Sequence, residues 1–133
     1  MHTTLQNSGP QRDYTVVFDP GEEVVRGLAD FARHEGLGPA SFAAIGGFHG
    51  VEIGFYNIGT KGFDHIPFPY DQAEVLSLIG DITPQEDGPN VHGHVVLGCP
   101  DGTARGGHLL RGVIRPILIV TVEEMSQAFP SHH

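Results

Sequence analysis

Residues 88–110 read GPNVHGHVVLGCPDGTARGGHLL, and this stretch predicts the β-hairpin around which the fold is organised. Residues 91–97 form the first predicted strand, because apolar and β-branched residues run there between two clusters rich in Gly and Pro. The segment Pro100-Asp101-Gly102 has the composition of a tight reversal. Residues 103–110 should then return antiparallel. If three residues close the loop, position 94 lies directly opposite position 108.

This register would bring three histidines together on one face of the hairpin. His92 and His94 are two residues apart, so they project from the same side of their strand. His108 would join them from the neighbouring strand, where opposite residues have Cβ atoms roughly 4.5–5.5 Å apart. Three imidazoles that leave a fourth position open are typical of a divalent metal site. Zn²⁺ is the predicted ion, with other divalent transition metals as alternatives.

A structural interpretation competes with the metal site. In that interpretation the three histidines are a hydrogen-bonded polar stripe without an ion. A register slip of one residue would turn His108 to the opposite face and remove the site. Two further histidines, His49 and His65, are predicted to lie at the surface or in the core rather than at the metal.

One helix is predicted after a first strand at residues 14–18. Asp19 suits the N-cap, Pro20 the first helical position and Gly36 the end of the helix. Four apolar residues repeat at helical spacing and should cover one side of a sheet. They are Val24, Leu28, Phe31 and Ala32.

The pattern after this helix is almost entirely β. Strands are predicted at residues 41–45, 51–58, 61–66, 75–82 and 113–122, with Gly46-Gly47 as the break between the first two. The last strand is apolar on both faces, because Ile117 and Ile119 alternate with Leu118 and Val120. A single helix covers only one face of a sheet. The second face should therefore be closed by curling of the sheet into a barrel, by a partner subunit, or by both, and an oligomer is expected.

Length and charge narrow the classes of function. The 133 residues predict one domain at residues 13–125, between polar tails at residues 1–12 and 126–133. The net charge is −9, which disfavours direct binding to DNA or RNA, because cations supply most of that affinity.

No apolar run approaches membrane length. A single cysteine, Cys99, suits a reducing compartment, so a cytoplasmic protein is expected.

A set of short motifs runs in order along the chain. They are Asp19-Pro20-Gly21-Glu22, Ser41-Phe42, Ile45-Gly46, Ile53-Gly54-Phe55-Tyr56, Glu74-Val75-Leu76-Ser77-Leu78, Gly80-Asp81-Ile82, His92-Gly93-His94, Pro100-Asp101-Gly102 and Gly106-Gly107-His108-Leu109-Leu110. Over about residues 14–123 this ordered set resembles the plants-and-prokaryotes-conserved domain, also known as PPC or DUF296. The resemblance implies an α+β fold in which one main helix packs on a strongly bent, largely antiparallel (mixed) β-sheet, assembled as a homotrimer. Prokaryotic members that keep the three histidines are similar to metal-containing proteins, and those positions are His92, His94 and His108 here.

The same resemblance bears on function. In plants the domain follows an AT-hook in nuclear regulators and mediates assembly with partners, and bacterial members are often labelled DNA-binding. The Arg-Gly-Arg-Pro core with which an AT-hook enters the minor groove is not found in this sequence. A homotrimer with a regulatory or assembly role, without direct contact to DNA, is therefore the favoured function, and a small-molecule ligand is compatible with it.

Two other functions compete with this one. A zinc-dependent enzyme acting on a small molecule would need a general acid or base, and the candidates by sequence are Glu74, Asp81 and Asp101. A cupin would also carry His-x-His on a β scaffold. It would need a Glu a few residues after the second His, and residues 95–100 contain none.

Overall fold

A computed structural model describes residues 1–130 of the chain, so His132 and His133 of the predicted C-terminal tail lie outside the described residues. Seven strands and one helix follow in chain order. They are β1 (His2–Asn7), β2 (Asp13–Phe18), α1 (Val24–Glu35), β3 (Ala40–Asn57), β4 (Gly62–Ile66), β5 (Ala73–Thr83), β6 (Asn90–Gly98) and β7 (Ala104–Glu124).

The strands form one bent sheet in the order β1-β2-β7-β6-β5-β3-β4. Strand β7 also pairs with β3, so β3, β5, β6 and β7 close into a small barrel. Helix α1 packs on this sheet, mainly against β7 and β6. The predicted α+β fold with one helix on a bent sheet is confirmed. Every strand pairing within residues 1–130 is antiparallel, so no mixed part of the sheet is found there.

Strands β3 and β7 are longer than predicted. The expected break at Gly46-Gly47 is wrong, because β3 continues through both glycines while it crosses β7. A Cβ atom at Gly46 would lie 2.2 Å from the carbonyl oxygen of Ile117. The glycine therefore permits a close approach of two strands instead of ending one. Likewise, the strands expected at residues 103–110 and 113–122 are one continuous strand.

The helix starts four residues after the predicted position. Pro20-Gly21 belongs to a turn in which the amide of Glu22 donates to the carbonyl of Asp19, and Gly21 has a φ of 90° that no helix allows. Glu23 is the actual N-cap, because its carboxylate accepts from the amides of Val25 and Arg26. The predicted end at Gly36 and the predicted apolar stripe are confirmed.

The N-terminal segment is not a loose tail over its whole length. His2–Asn7 form the edge strand β1, which pairs antiparallel with β2 through the backbone, while all its side chains remain exposed. The polar sequence therefore gave no indication of this strand, which main-chain hydrogen bonds stabilise. The N-terminal amine also contacts the carboxylates of Asp19 (3.0 Å) and Glu22 (2.7 Å).

The barrel interior and the helix share one hydrophobic core. The inward set on β7, which includes Leu118 and Val120, is fully buried. The outward set is not, because Ile117 and Ile119 are 41% and 42% exposed. With Ile45 (61% exposed) and Ile79 (56% exposed) from β3 and β5, these two residues form what we call the outer isoleucine face. Closing the barrel thus explains one apolar face of β7 and leaves the other uncovered within a single chain.

Candidate metal centre

The hairpin of β6 and β7 has the predicted register. His94 lies directly opposite His108. The loop closes as expected, with the amide of Cys99 donating to the carbonyl of Thr103 (2.8 Å) and the amide of Gly102 donating back to Cys99 (3.0 Å). The three-residue reversal is therefore confirmed, and no register slip occurs.

The three histidines converge on the outer side of the barrel. Ring centroids are 5.0 Å apart for His92 and His94, 4.4 Å for His92 and His108, and 5.0 Å for His94 and His108. One ring nitrogen from each lies within 4.8 Å of the other two. Tetrahedral Zn²⁺ with bonds of 2.0–2.1 Å would need these nitrogens about 3.3 Å apart, which small side-chain rotations can provide. The three nitrogen donors therefore fit a late first-row divalent ion with one position left open.

Two of the three rings are held by neighbours. The Nδ1 atom of His92 lies 3.3 Å from Oδ1 of Asp81, its register partner on β5. The ring of His108 packs against Phe63 on β4, with centroids 4.5 Å apart. His94 is the exposed member of the set. The cluster is therefore partly fixed before any ion binds, and its open side is at His94.

Backbone packing beneath the cluster depends on Gly107, the residue before His108. A Cβ atom there would lie 2.7 Å from the carbonyl oxygen of Gly54 on β3. The absence of a side chain lets β3 approach β7 closely and keeps His108 in the same row as His94. The glycine before this histidine thus permits the close spacing of β3 and β7.

Two cavities flank the cluster. The larger is a groove of about 530 Å³ that reaches His94 and His108. Its apolar lining includes Phe55, Ile58 and Val96. The smaller cavity, about 430 Å³, lies on the side of His92 and is bordered by Phe129 from the segment after β7. A molecule bound in either cavity would meet the open side of the cluster.

The two histidines that were predicted to lie outside the metal site are not part of the cluster. His49 is exposed and contacts the carbonyl of Asp71 (3.1 Å). His65 is exposed on β4, one strand beyond Gly54, which pairs with both His65 and His108. Neither belongs to the group of possible ligands found among residues 1–130.

Of the three acidic candidates, only Asp81 contacts the cluster. Glu74 is exposed opposite Gly98, near the end of β6 remote from His92. Asp101 caps the hairpin loop by accepting from Thr103. The hydrogen bonds from the hydroxyl and then the amide of Thr103 lower the pKa of Asp101. That carboxylate therefore has a local structural role in the turn.

Sequence reasoning did not find the pairing of Asp81 with His92 or the packing of Phe63 on His108. The first depends on the register across the loop at residues 84–89, which contains no turn signal specific enough to fix it. The second depends on a hairpin partner of β3. The sequence offered Asp81 only as a candidate acid or base, and no sequence signal identified its neighbour.

Comparison with known families gives a clear result. A profile of the Plants and Prokaryotes Conserved (PCC) domain matches residues 5–126. The chain belongs to the PCC-domain family. The match includes the second half of β1 and all later elements.

Solved PCC-like structures share this fold. A plant- and prokaryote-conserved protein from Pyrococcus horikoshii is 28% identical with a TM-score of 0.82, and the match covers 95% of this chain and 92% of that one. A metal-containing protein from Archaeoglobus fulgidus is 27% identical with a TM-score of 0.80, over 97% and 86% of the two chains. A protein from Ralstonia eutropha JMP134, provisionally named as DNA-binding, is 32% identical with a TM-score of 0.77. The match covers 86% of this chain and 78% of that one. No curated protein sequence matches this chain.

The PCC fold of residues 1–130 contains little helix. Its single helix has 12 residues, and no helix within residues 1–130 has the length and apolar character needed to cross a bilayer.

Proposed function

We propose that this chain is a homotrimeric, zinc-binding PCC-domain protein with a regulatory or assembly role. The observation that carries the proposal is the convergence of His92, His94 and His108 from two rigid strands. The metal-containing relative from Archaeoglobus fulgidus supports it. The ion would be held by three ring nitrogens, and its fourth position would face the surface at His94.

The chain's own residues set what such a centre can do. Bound Zn²⁺ would supply a Lewis acid with one exchangeable position. His92 and His108 would hold their orientation through Asp81 and Phe63, while the exposed His94 would border the entry side. An ion held in this way suits either a structural role at an interface or the sensing of a ligand.

The outer isoleucine face supports assembly. Its four side chains come from three adjacent strands, and Ile45 is the register partner of Ile119. A contiguous apolar surface on a soluble domain commonly marks a contact with another protein. A closed ring of three copies would cover this face on every subunit, as the family resemblance implies.

Direct binding to nucleic acid is not part of the proposed function. The net charge of −9 opposes the neutralisation of phosphates on which such binding depends. A regulatory role would then operate through protein partners or a small-molecule ligand. The free thiol of Cys99 is consistent with a protein that functions in the reducing cytoplasm.

A second candidate, a zinc-dependent enzyme acting on a small molecule, is favoured by the groove of about 530 Å³ beside His94 and His108. Pockets of this size commonly hold small ligands. Against it, Asp81 is buried and bonded to His92, and the carboxylates of Glu74 and Asp101 lie away from the cluster. The groove supports binding more directly than it supports acid–base chemistry.

The metal centre is tested with protein made without an affinity tag. After exposure to zinc and removal of unbound ion, elemental analysis should find one zinc per chain. His94→Ala should reduce occupancy strongly, because it removes one of three donors, and the triple alanine variant of His92, His94 and His108 should hold none. His49→Ala is the matched control, since this exposed histidine lies outside the cluster, and it should keep full occupancy.

Two results would count against the proposal. A wild-type protein without stoichiometric metal, or a triple variant that binds as much zinc as wild type, would return the histidines to a purely structural role. Turnover of a small ester or phosphate by the zinc-loaded protein, lost in the triple variant, would instead favour the enzyme.

A further inference from the structure

Asp81 is the one charged or polar residue that the fold buries among residues 1–130, with 5% of its surface exposed. A buried carboxylate is unfavourable unless hydrogen bonds or charges compensate for the loss of water. Asp81 lies on β5 in register with His92 on one side and with Ser41 of β3 on the other. This register places Asp81 directly beside the histidine cluster, on the same outer row of the barrel.

Each oxygen of this carboxylate has a partner. Oδ1 lies 3.3 Å from Nδ1 of His92. Oδ2 accepts from the hydroxyl of Thr83 at 3.2 Å. The hydroxyl bond fixes the carboxylate plane, so Oδ1 points at the imidazole.

The chemistry of the pair determines which tautomer His92 adopts. An ionised carboxylate only accepts hydrogen bonds, so Nδ1 of His92 must be the donor. In a neutral imidazole the second nitrogen then carries no hydrogen and can donate its lone pair to a metal. For His92 this nitrogen is Nε2. In metalloproteins a carboxylate behind a ligating histidine plays this part, fixing the ring and raising its basicity.

We propose that Asp81 is the positioning residue of the metal centre: it holds His92 in the Nδ1–H tautomer and aims Nε2 at the point where the three rings converge. This inference rests on the proposed metal centre. It adds to that centre a negative charge behind one ligand, which favours a dication, and a relay that runs from Thr83 through Asp81 to His92. Asp81 itself does not touch the ion.

The three rings thereby differ in how firmly they are held. His92 is fixed by a charged hydrogen bond, His108 by packing on Phe63, and His94 is exposed. Loss of Asp81 should therefore disturb His92 selectively and leave the other two ligands in place. The expected consequence is weaker metal binding rather than loss of the fold.

Two variants and one control separate charge, hydrogen bond and packing. Asp81→Ala removes the acceptor, and Asp81→Asn keeps the shape and one acceptor oxygen but removes the charge. Glu123→Gln is the control, because Glu123 pairs with Ser41 on the same row and is exposed. Zinc affinity is measured by competition with a chromophoric chelator. Asp81→Ala should bind roughly 10–100-fold more weakly, Asp81→Asn should fall between it and wild type, and Glu123→Gln should match wild type.

A second readout needs no metal. Two-dimensional NMR of ¹⁵N-labelled, metal-free protein at pH 8 distinguishes protonated from unprotonated ring nitrogens. Wild type and Asp81→Asn should show Nδ1 of His92 protonated and Nε2 unprotonated, whereas Asp81→Ala should show a mixture of tautomers. A residue that merely filled space would not change this signature.

The outcomes separate this inference from the proposed function. Wild-type zinc binding that is equally tight in Asp81→Ala and Asp81→Asn overturns the role of Asp81 and leaves the metal centre standing. A wild-type His92 protonated at Nε2 also overturns it. Failure of the wild type to bind zinc overturns the metal centre, and the tautomer measurement then still decides the Asp81–His92 contact. If Asp81→Ala does not fold, Asp81→Asn carries the affinity test.

Discussion

At the scale of single residues, Glu124 joins three parts of the chain that are distant in sequence. Its carboxylate accepts from the backbone amide (2.7 Å) and guanidinium Nε (2.9 Å) of Arg12 and from the amide of Gly38 (3.0 Å). Glu124 thereby ties the end of β7 to the start of β2 and to the segment after α1. The side chain is 9% exposed, so solvent screens these bonds only weakly.

This residue predicts a pH dependence of stability. The hydrogen bond from Arg12 lowers the pKa of Glu124 from its ordinary 4.5 to about 2. Because the folded pKa is the lower one, the ionised carboxylate stabilises the fold above pH 4.5, and this contribution is lost as pH falls towards about 2. Glu124→Gln should lower the free energy of unfolding at pH 7 and flatten its fall between pH 4.5 and 2.

Urea unfolding at a series of pH values measures the effect. Glu86→Gln, which removes an exposed carboxylate in the loop between β5 and β6, serves as control and should follow the wild-type curve. A Glu124→Gln curve parallel to wild type across the whole window would contradict the assigned role.

The candidate site was only partly predictable at this scale. His92, His94 and His108 followed from period-2 alternation and from one short loop whose length set the register. Asp81 could not be assigned in the same way, because six residues at 84–89 separate its strand from that of His92, and loops of that length allow several registers. The pairing of strands joined by a three-residue loop could be predicted from the sequence, and the pairing of strands joined by a six-residue loop could not.

At the scale of elements, the crossing of β3 over β7 determines the barrel. Gly46 has a φ of 151° and sits where its missing Cβ would meet the carbonyl oxygen of Ile117. The sequence indicated a strand break there, because a glycine pair is the usual mark of a turn. Whether such a pair ends a strand or allows another to pass depends on a partner far along the chain. The positions of β5 and β6 were therefore predicted to within two residues, and the continuity of β3 and β7 was not predicted.

Gly46→Ala should consequently destabilise the fold. The methyl group would force β3 and β7 apart, and overpacking of this kind costs about 1–3 kcal/mol. Gly62→Ala is the matched control, because its nearest neighbour would be the Thr60 hydroxyl at 3.9 Å. Thermal and urea unfolding measure both variants. Equal stability of Gly46→Ala and wild type would show that the strands can separate without loss.

At the scale of the whole molecule, the outer isoleucine face predicts an assembly. Multi-angle light scattering on a sizing column should give three times 14.3 kDa. Ile119→Glu should shift the protein towards monomer, because it places a charge in the centre of the proposed contact. Leu5→Glu, on the exposed edge strand β1, is the control and should keep the wild-type mass.

A wild-type mass of one chain at micromolar concentration would remove the trimer. A trimer that Ile119→Glu leaves intact would move the interface away from this face. Each result is read from mass alone, so neither requires a measurement of bound metal.

The hairpin that carries the histidines also has a kinetic consequence. His94 and His108 are joined by a short loop, so their encounter requires little loss of chain entropy and can occur within microseconds. The pairing of Ala40 with Glu124, which closes the barrel, spans most of the chain and must come at a greater entropic cost. Because the three histidines lie on the hairpin that forms early, a bound zinc ion would stabilise a folding nucleus before the barrel closes. Zinc would then raise the folding rate as well as the final stability.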